Sequence, residues 1–275
     1  MPRVRVPTDP EDAAKLLKAR DDALAMIEAV EAALAECLVA PAAGSEIETC
    51  ATKDPESWWM TYANLSLNNA VDHLRALAPI WSMEGGIPNA PGYTLIRATA
   101  EASVRAIWLL DPSLSPRERI ARGVVERQNA HQWMRRIQGD GDDTRRRETT
   151  FAATLNRSGF TIVDKTCEGQ KRPLITTLMR EQLRAPIRRG TTQTTGGLMY
   201  ALLCGYAHAE PWATMLWMRP VGPGIGAVNL NIDLQVTMLR NAMKLLNGGI
   251  VGLVYLAGRD VEAWKRRAVP LVLGT

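Results

Sequence analysis

Apolar residues recur at three- and four-residue steps along most of the chain, which is the period of an amphipathic α-helix. The longest such stripe follows Pro10 and includes Leu16, Ala23, Ile27 and Leu34. Few helix-breaking residues interrupt it before Pro41. The pattern therefore predicts a long first helix that ends at about Ala40.

Prolines, glycines and capping residues divide the rest of the chain into further predicted helices. Polar or glycine-rich connections are expected at 41–52, 84–89 and 139–143. The Ser115-Pro116-Arg117-Glu118 segment is a strong helix start. The helices are predicted at 54–77, 93–110, 115–137, 144–156, 173–183, 191–209, 233–255 and 260–267.

Two segments lack the helical period. Residues 214–231 alternate apolar and polar positions around Pro220-Val221-Gly222-Pro223-Gly224, which predicts a small β-hairpin. Residues 159–172 are the least helical part of the middle of the chain, and Phe160-Thr161-Ile162-Val163 within them is either extended or an irregular insertion. The predicted fold is an all-α multi-helix bundle with a small β-hairpin near 214–231. Residues 1–275 are expected to form a single helical domain, to which 1–52 could be an N-terminal helical extension.

Composition narrows the class of protein. Hydrophobic residues make up 46% of the chain, and 33 basic residues stand against 29 acidic ones, for a net charge of +4. This mild basic excess permits weak attraction to nucleic acid, although dedicated DNA-binding domains usually show a stronger excess. No stretch reaches 18 uninterrupted apolar residues, so we expect a cytoplasmic protein without a membrane segment.

Familiar cofactor and metal motifs are missing from the sequence. The four cysteines, at 37, 50, 167 and 204, show no CxxC spacing. The chain also lacks an HExxH motif and the lysine of a phosphate-binding loop, and Gly222-Pro223-Gly224-Ile225-Gly226 is not a complete dinucleotide fingerprint. We therefore expect no bound metal, no cofactor and no disulfide framework.

A row of charged residues marks the predicted third helix. Arg97, Glu101, Arg105 and Trp108 follow one another at four- and three-residue steps, so all four project from one helix face. On the next helix Arg119, Arg122 and Glu126 can share a face and reach towards Glu101. These residues are either a structural ion-pair network or part of a functional site. Arg97, Glu101 and Arg119 are retained as candidate catalytic residues.

Histidine is scarce, with three instances at 73, 131 and 208. Each lies in or at the end of a predicted helix, where a structural role is the ordinary expectation. His208 closes the helix that contains Tyr200, Cys204 and Tyr206, just before Pro211. A helix C-terminus favours a protonated imidazole, so His208 is the histidine chosen as a catalytic candidate.

Clusters of arginine provide candidates for nucleic-acid binding. Arg145, Arg146 and Arg147 form one run, and Arg188 and Arg189 form another. Their positions near predicted helix ends suit contact with a phosphate backbone. The same positions also suit a charged surface that only keeps the protein soluble.

The chain resembles an uncharacterised helical family common in actinobacteria, in a region of roughly Trp58 to Trp212. The resemblance lies in Asp72-His73-Leu74, Arg97-x3-Glu101, Trp108-Leu-Leu-Asp111-Pro112, Glu118-Arg119-x2-Arg122 and Tyr200-x7-His208. It implies a helical bundle without an agreed activity. The late helix that ends in a polar histidine is also similar to HEPN-type bundles, whose nuclease members place four to six residues between an arginine and a histidine. Three residues separate Arg127 from His131 here.

Two functional hypotheses follow. The first is a helical bundle that binds a protein partner or forms a homo-oligomer, without assignable catalysis. It rests on abundant apolar helical surface that includes eight tryptophans, because aromatic residues often anchor interfaces. The alternative is a HEPN-like protein that binds or cleaves RNA in host defence or phage biology, with Arg97, Glu101, Arg119 and His208 converging in one cleft.

Overall fold

The computed structural model describes residues 10–50, 55, 57–81, 89–185, 194–208, 218–222, 225–228 and 232–274. These ranges are dominated by helices, which confirms the predicted all-α bundle. The helices are α1 (Pro10–Val39), α2 (Glu46–Cys50), α3 (Trp58–Trp81), α4 (Asn89–Leu109), α5 (Pro116–Gln138), α6 (Asp142–Ser158), α7 (Ile175–Gln182), α8 (Thr195–Ala207), α9 (Ile232–Leu256) and α10 (Val261–Leu273).

The strongest predicted helix start is confirmed at α5. The Ser115 side chain accepts a hydrogen bond from the Glu118 backbone N–H, while the Glu118 carboxylate accepts one from the Ser115 backbone N–H. Together with Pro116 in the first turn, this capping box satisfies backbone donors that a helix start leaves unpaired. The turn before α5 therefore fixes where the charged face of this helix begins.

Helix α4 is the centre of the bundle and packs against α3, α9, α8, α7 and α5. Small buried residues on α4, including Ala100 and Ser103, allow close approach by its neighbours. Helix α9 approaches closely at the end of α4, where a Cβ on Gly252 would lie 2.5 Å from the carbonyl oxygen of Leu110. Since α4 also carries Arg97 and Glu101, the charged row is anchored to the most heavily packed helix.

The N-terminal segment shares this core. The apolar stripe of α1 packs against α9, α3 and α10, with Met26 and Val30 fully buried. One expectation is wrong here, because the segment predicted as a loop at 41–52 contains α2. Ile47 and Cys50 of α2 are buried, so packing stabilises a helix that is too short to persist alone.

Two small antiparallel sheets accompany the helices. The predicted hairpin is confirmed as β4 (Met218–Gly222) paired with β5 (Ile225–Val228), with an irregularity between Pro220 and Gly222. Residues 162–171 form a second sheet of three two-residue strands, β1 (Ile162–Val163), β2 (Thr166–Cys167) and β3 (Gln170–Lys171). Of the two alternatives for Phe160–Val163, the extended one is therefore correct for Ile162 and Val163. We call this three-stranded sheet the meander.

The meander lies against α5. The Cys167 side chain is buried within the hydrophobic core, and Arg117 of α5 binds the Gly159 carbonyl and the Glu168 carboxylate.

In the part of the chain that the structure describes, no helix is both long enough and apolar enough to cross a membrane.

Candidate functional site

Three sequence-predicted candidates meet where α4 faces the end of α8. Arg97 donates through Nε to Glu101 Oε1 at 2.6 Å, one helical turn further along α4. Nη1 of the same guanidinium lies 3.4 Å from Nε2 of His208, which is 111 positions away in the sequence. We call Arg97, Glu101 and His208 the Arg–Glu–His cluster.

His208 is placed by the end of its helix. It is the C-cap residue of α8, and its backbone N–H donates to the Cys204 carbonyl at 2.9 Å. The residue is exposed, whereas Arg97 and Glu101 are partly buried. The cluster therefore presents an imidazole to solvent beside a guanidinium whose orientation is fixed by a carboxylate.

Tyr200 and Cys204 extend the cluster along α8. The Arg97 guanidinium carbon lies 5.7 Å from the Tyr200 ring centroid, which is within cation–π range. Burial, together with a hydrogen bond between its hydroxyl and Cys204, raises the pKa of Tyr200. The phenol is therefore protonated at neutral pH and can donate a hydrogen bond.

Glu101 stabilises the positive charge of Arg97. Burial alone would lower the pKa of this guanidinium, but the hydrogen bond and negative charge of Glu101 outweigh that effect, and the pKa is raised. An arginine that stays charged and is held in one orientation is suited to bind a phosphate or another oxyanion.

A stacked tyrosine pair holds α8 against α4 next to the cluster. The rings of Tyr93 and Tyr206 are 4.0 Å apart between centroids and nearly parallel, at 9°. Both side chains are buried, and burial raises the pKa of Tyr93 to about 12. This stacking contact fixes the distance between the helix that carries Arg97 and the helix that carries His208.

Arg119 does not join the other three candidates. It lies on the buried side of α5, only 1% exposed, where Nε and Nη2 bind the two carboxylate oxygens of Glu46 at 2.8 and 3.1 Å. Its other donors bind the carbonyls of Asp111 and Leu114. The expected convergence of all four residues is therefore incomplete, and Arg119 joins α2 to the turn between α4 and α5.

A second buried network links α4 to the meander. Glu126 of α5 accepts hydrogen bonds from Arg172 Nε with both carboxylate oxygens, at 3.0 and 3.1 Å. Arg105, two turns after Arg97 on α4, places Nη1 3.1 Å from Glu126 Oε1 as an ion pair without a well-aligned hydrogen bond. Burial lowers the pKa of Arg105 despite the attraction of Glu126.

The sequence predicted that charged residues of α5 would reach Glu101, but in the structure they have other partners. Glu126 contacts Arg105 instead of the Arg–Glu–His cluster. Arg122 binds Gln170 at 2.8 Å and the Trp108 carbonyl, and its guanidinium carbon lies 5.1 Å from the Trp108 ring centroid. This part of the charged row holds α4, α5 and the meander together.

The arginine run on α6 is exposed but locally paired. Arg146 and Arg147 lie 2.7 and 2.8 Å from carboxylate oxygens of Asp143, and Arg145 lies 4.0 Å from Asp142. These acids offset part of the charge that would attract a phosphate backbone. The other predicted run, Arg188 and Arg189, lies outside the described residues.

His131 and the thiols of Cys37 and Cys167 have structural surroundings. The His131 ring packs on Phe151, with 4.9 Å between centroids, and burial followed by the charge of Arg127 lowers the pKa of His131. Burial raises the pKa of Cys37 and of Cys167 to about 11, which disfavours their reactive thiolate forms. Within the described ranges, no group of three or more His, Cys, Asp or Glu side chains is arranged to hold a metal ion.

Sequence reasoning missed the role of Arg172 as the second partner of Glu126. No helical spacing could have indicated it, because Arg172 follows the meander and is 46 positions from Glu126. The Tyr200 contact with Arg97 was only partly visible, through the four-residue steps that join Tyr200, Cys204 and His208. Such steps place three polar groups on one face of a helix.

Comparison of the chain with models of known protein families, with curated proteins and with solved structures finds no match. The fold and the arrangement of side chains are therefore the basis for the functional proposals.

Proposed function

We propose that the chain binds single-stranded RNA and cleaves it at the Arg–Glu–His cluster. The observation that carries the proposal is the 3.4 Å approach of Arg97 Nη1 to His208 Nε2, with Glu101 holding the same guanidinium at 2.6 Å. An exposed imidazole can act as a general base or general acid towards a bound substrate. A fixed guanidinium can stabilise the negative charge that develops on phosphate oxygens during cleavage.

In the proposed reaction His208 takes the proton from a ribose 2′-hydroxyl. The 2′-oxygen then bonds to the neighbouring phosphorus while the bond from phosphorus to the 5′-oxygen breaks. The leaving oxygen takes a proton from the Tyr200 hydroxyl, and His208 returns one to Tyr200 through water. Arg97 binds the non-bridging phosphate oxygens, and Glu101 positions Arg97. The products are a 2′,3′-cyclic phosphate and a free 5′-hydroxyl.

The test is cleavage of a 5′-labelled RNA strand, with a DNA strand of the same sequence as a substrate control. DNA lacks the 2′-hydroxyl on which the reaction depends, so it should remain intact. We expect His208→Ala and Arg97→Ala to cleave RNA at least about 100-fold more slowly than the wild type. His73→Ala, on α3, is the matched histidine control and should cleave normally.

Each outcome of this experiment decides part of the proposal. Cleavage of RNA and DNA at equal rates would exclude attack by the 2′-hydroxyl. No RNA cleavage by the wild type, or unchanged cleavage by His208→Ala, would exclude the Arg–Glu–His cluster as a nuclease site. Salt-sensitive RNA binding without cleavage would show that the chain binds RNA but is not a nuclease.

Binding of a protein partner or self-association is a second candidate, favoured by apolar side chains on α1 and α10. Leu17 and Leu24 of α1 and Val269 and Leu273 of α10 are 38–56% exposed. The two helices pack together, and Arg240 joins Asp22 of α1 to the Leu271 and Val272 carbonyls of α10. A monomer in analytical ultracentrifugation at high protein concentration would exclude self-association.

Tryptophan burial favours the RNA proposal over this second candidate. Trp58, Trp59, Trp108 and Trp264 are buried in the core, so they are not available as interface anchors. Trp133 is 52% exposed, and its neighbours are basic and amide side chains. An exposed aromatic ring among cations is a typical feature of surfaces that bind single-stranded nucleic acid.

A further inference from the structure

A groove of about 300 Å³ lies between α5 and the meander, away from the Arg–Glu–His cluster. One wall is the outer face of α5, with Gln128, Asn129, Gln132 and Trp133. The other wall is the meander and the residue that follows it. The volume is at the lower end of the range for small-ligand sites, and we call this feature the α5–meander groove.

The lining of the groove is strongly basic. Arg136, Lys165, Lys171 and Arg172 contribute four cations, and no carboxylate is among the described residues that line it. Among the described residues, Arg172 is partly neutralised by its ion pair with Glu126, whereas Arg136, Lys165 and Lys171 have no ion-pair partner. A concentration of one sign of charge in a concave surface attracts anionic ligands.

Trp133 gives the groove an aromatic surface. The indole is 52% exposed, and the Arg136 guanidinium carbon lies 5.0 Å from its ring centroid. Indole rings and guanidinium planes both stack on nucleobases. The three amide side chains beside Trp133 can donate and accept hydrogen bonds at the edge of a stacked base.

Lys165 is held in the groove by an unfavourable backbone conformation. It occupies the turn between β1 and β2, where Asp164 and Lys165 have φ angles of 48° and 64°. Glycine or asparagine is sterically better suited to such positions, and strained residues of this kind are concentrated at functional sites. Of the two turn residues, Lys165 is the one that lines the groove.

We infer that the α5–meander groove is a nucleotide-binding subsite. The base stacks on Trp133, its edge meets the amides of α5, and the phosphate pairs with Lys165, Lys171 and Arg172. The inference rests on the proposed RNA function and specifies where the strand binds. Arg172 and Arg105 share Glu126, so ion pairs link this subsite to Arg105, on the helix that also carries Arg97.

The test measures binding of a fluorescein-labelled 12-nucleotide oligoadenylate to the full chain by fluorescence anisotropy. We expect Trp133→Ala and Lys165→Gly each to weaken binding about tenfold or more, because they remove the stacking surface and one phosphate contact. Trp133→Phe should restore most of the affinity. Lys265→Ala, on α10, is the matched cation control and should bind as the wild type does.

Two further probes identify the source of the nucleotide. An abasic strand of the same length should bind more weakly than oligoadenylate, because it offers phosphates without bases. AMP tests whether a free nucleotide is sufficient. Binding of AMP with loss in Trp133→Ala would assign the subsite to free nucleotides as well as strands, whereas binding of the strand alone would assign it to RNA.

The groove inference and the cleavage proposal can fail separately. Unchanged affinity in both Trp133→Ala and Lys165→Gly, or equal affinity for the abasic strand, would overturn the groove inference even if His208→Ala abolished cleavage. Conversely, loss of binding in the groove variants of a protein that cleaves no RNA would support the subsite and exclude the nuclease proposal.

Discussion

Nη1 of Arg97 lies 3.4 Å from Nε2 of His208, and Nε of the same guanidinium is bound by Glu101. Glu101→Gln should therefore loosen the orientation of Arg97 without removing its charge. Because the ion pair is partly exposed, at 21% and 30% for its two side chains, we expect a stability loss of no more than about 1 kcal/mol. RNA cleavage should fall about tenfold, since catalysis depends on the placement of charged groups.

The control for this variant is Glu148→Gln on α6, whose carboxylate lies 3.8 Å from Arg135. Thermal unfolding and labelled-RNA cleavage would be measured for both proteins. If the Glu101→Gln variant cleaves RNA at the wild-type rate, a positioning role for Glu101 is excluded.

Arg119→Ala should be severely destabilising. The arginine is 1% exposed and holds Glu46 through two hydrogen bonds, so its loss leaves a partly buried carboxylate unpaired. We expect the free energy of unfolding to fall by about 3–5 kcal/mol. Denaturant unfolding measures this change, with the exposed Arg146→Ala as a control that should be close to the wild type. A loss as small as that of the control would contradict the structural role of Arg119.

Gly123→Ala should disrupt the contact between α5 and α3. An added Cβ would meet the backbone nitrogen of Trp59 and lie 2.9 Å from its Cα, a separation that backbone atoms cannot relieve cheaply. We expect a loss of about 1–3 kcal/mol or more. Gly141→Ala, where the added methyl has open space, should change the free energy of unfolding by less than about 1 kcal/mol. Equal effects of the two substitutions would contradict this packing.

Acid should destabilise the protein partly through His131. Burial and the charge of Arg127 lower the pKa of His131 below its ordinary value of 6.5. The unfolded chain therefore binds a proton at a higher pH than the folded protein does. The stabilising contribution is complete above about pH 6.5 and is lost as the pH falls towards the lower pKa of the folded state.

This pH dependence can be isolated by comparing the wild type with His131→Gln between about pH 7.5 and about pH 5. The free energy of unfolding should fall more steeply for the wild type. Parallel pH profiles for the two proteins would show that His131 is not responsible.

Lys165→Gly should stabilise the protein while it weakens RNA binding. Glycine adopts the φ angle of 64° found at this position without steric cost, so we expect a gain of about 1 kcal/mol. Lys171→Gly is the control in the same sheet, on β3, where glycine should cost about 0.5–1 kcal/mol. A loss of stability in Lys165→Gly would contradict the argument that the turn is strained.

The sequence by itself determined the helical architecture, because the period of apolar residues and the signals at helix ends are local. The helix start at Ser115-Pro116-Arg117-Glu118 and the small β-hairpin near 214–231 were predicted and are present. The short helix α2 was missed, since burial of Ile47 and Cys50 depends on residues far away in the sequence.

Tertiary structure decided which charged residues share a site. Arg97 and Glu101 were linked by helical spacing, but only the packing of α8 on α4, through Tyr93 and Tyr206, brings His208 to Arg97. Spacing also placed Arg119 among the candidates, and the fold instead pairs it with Glu46, 73 positions away. Local periodicity specifies the face of a helix on which a charge lies, whereas the choice of partner depends on how the helices pack.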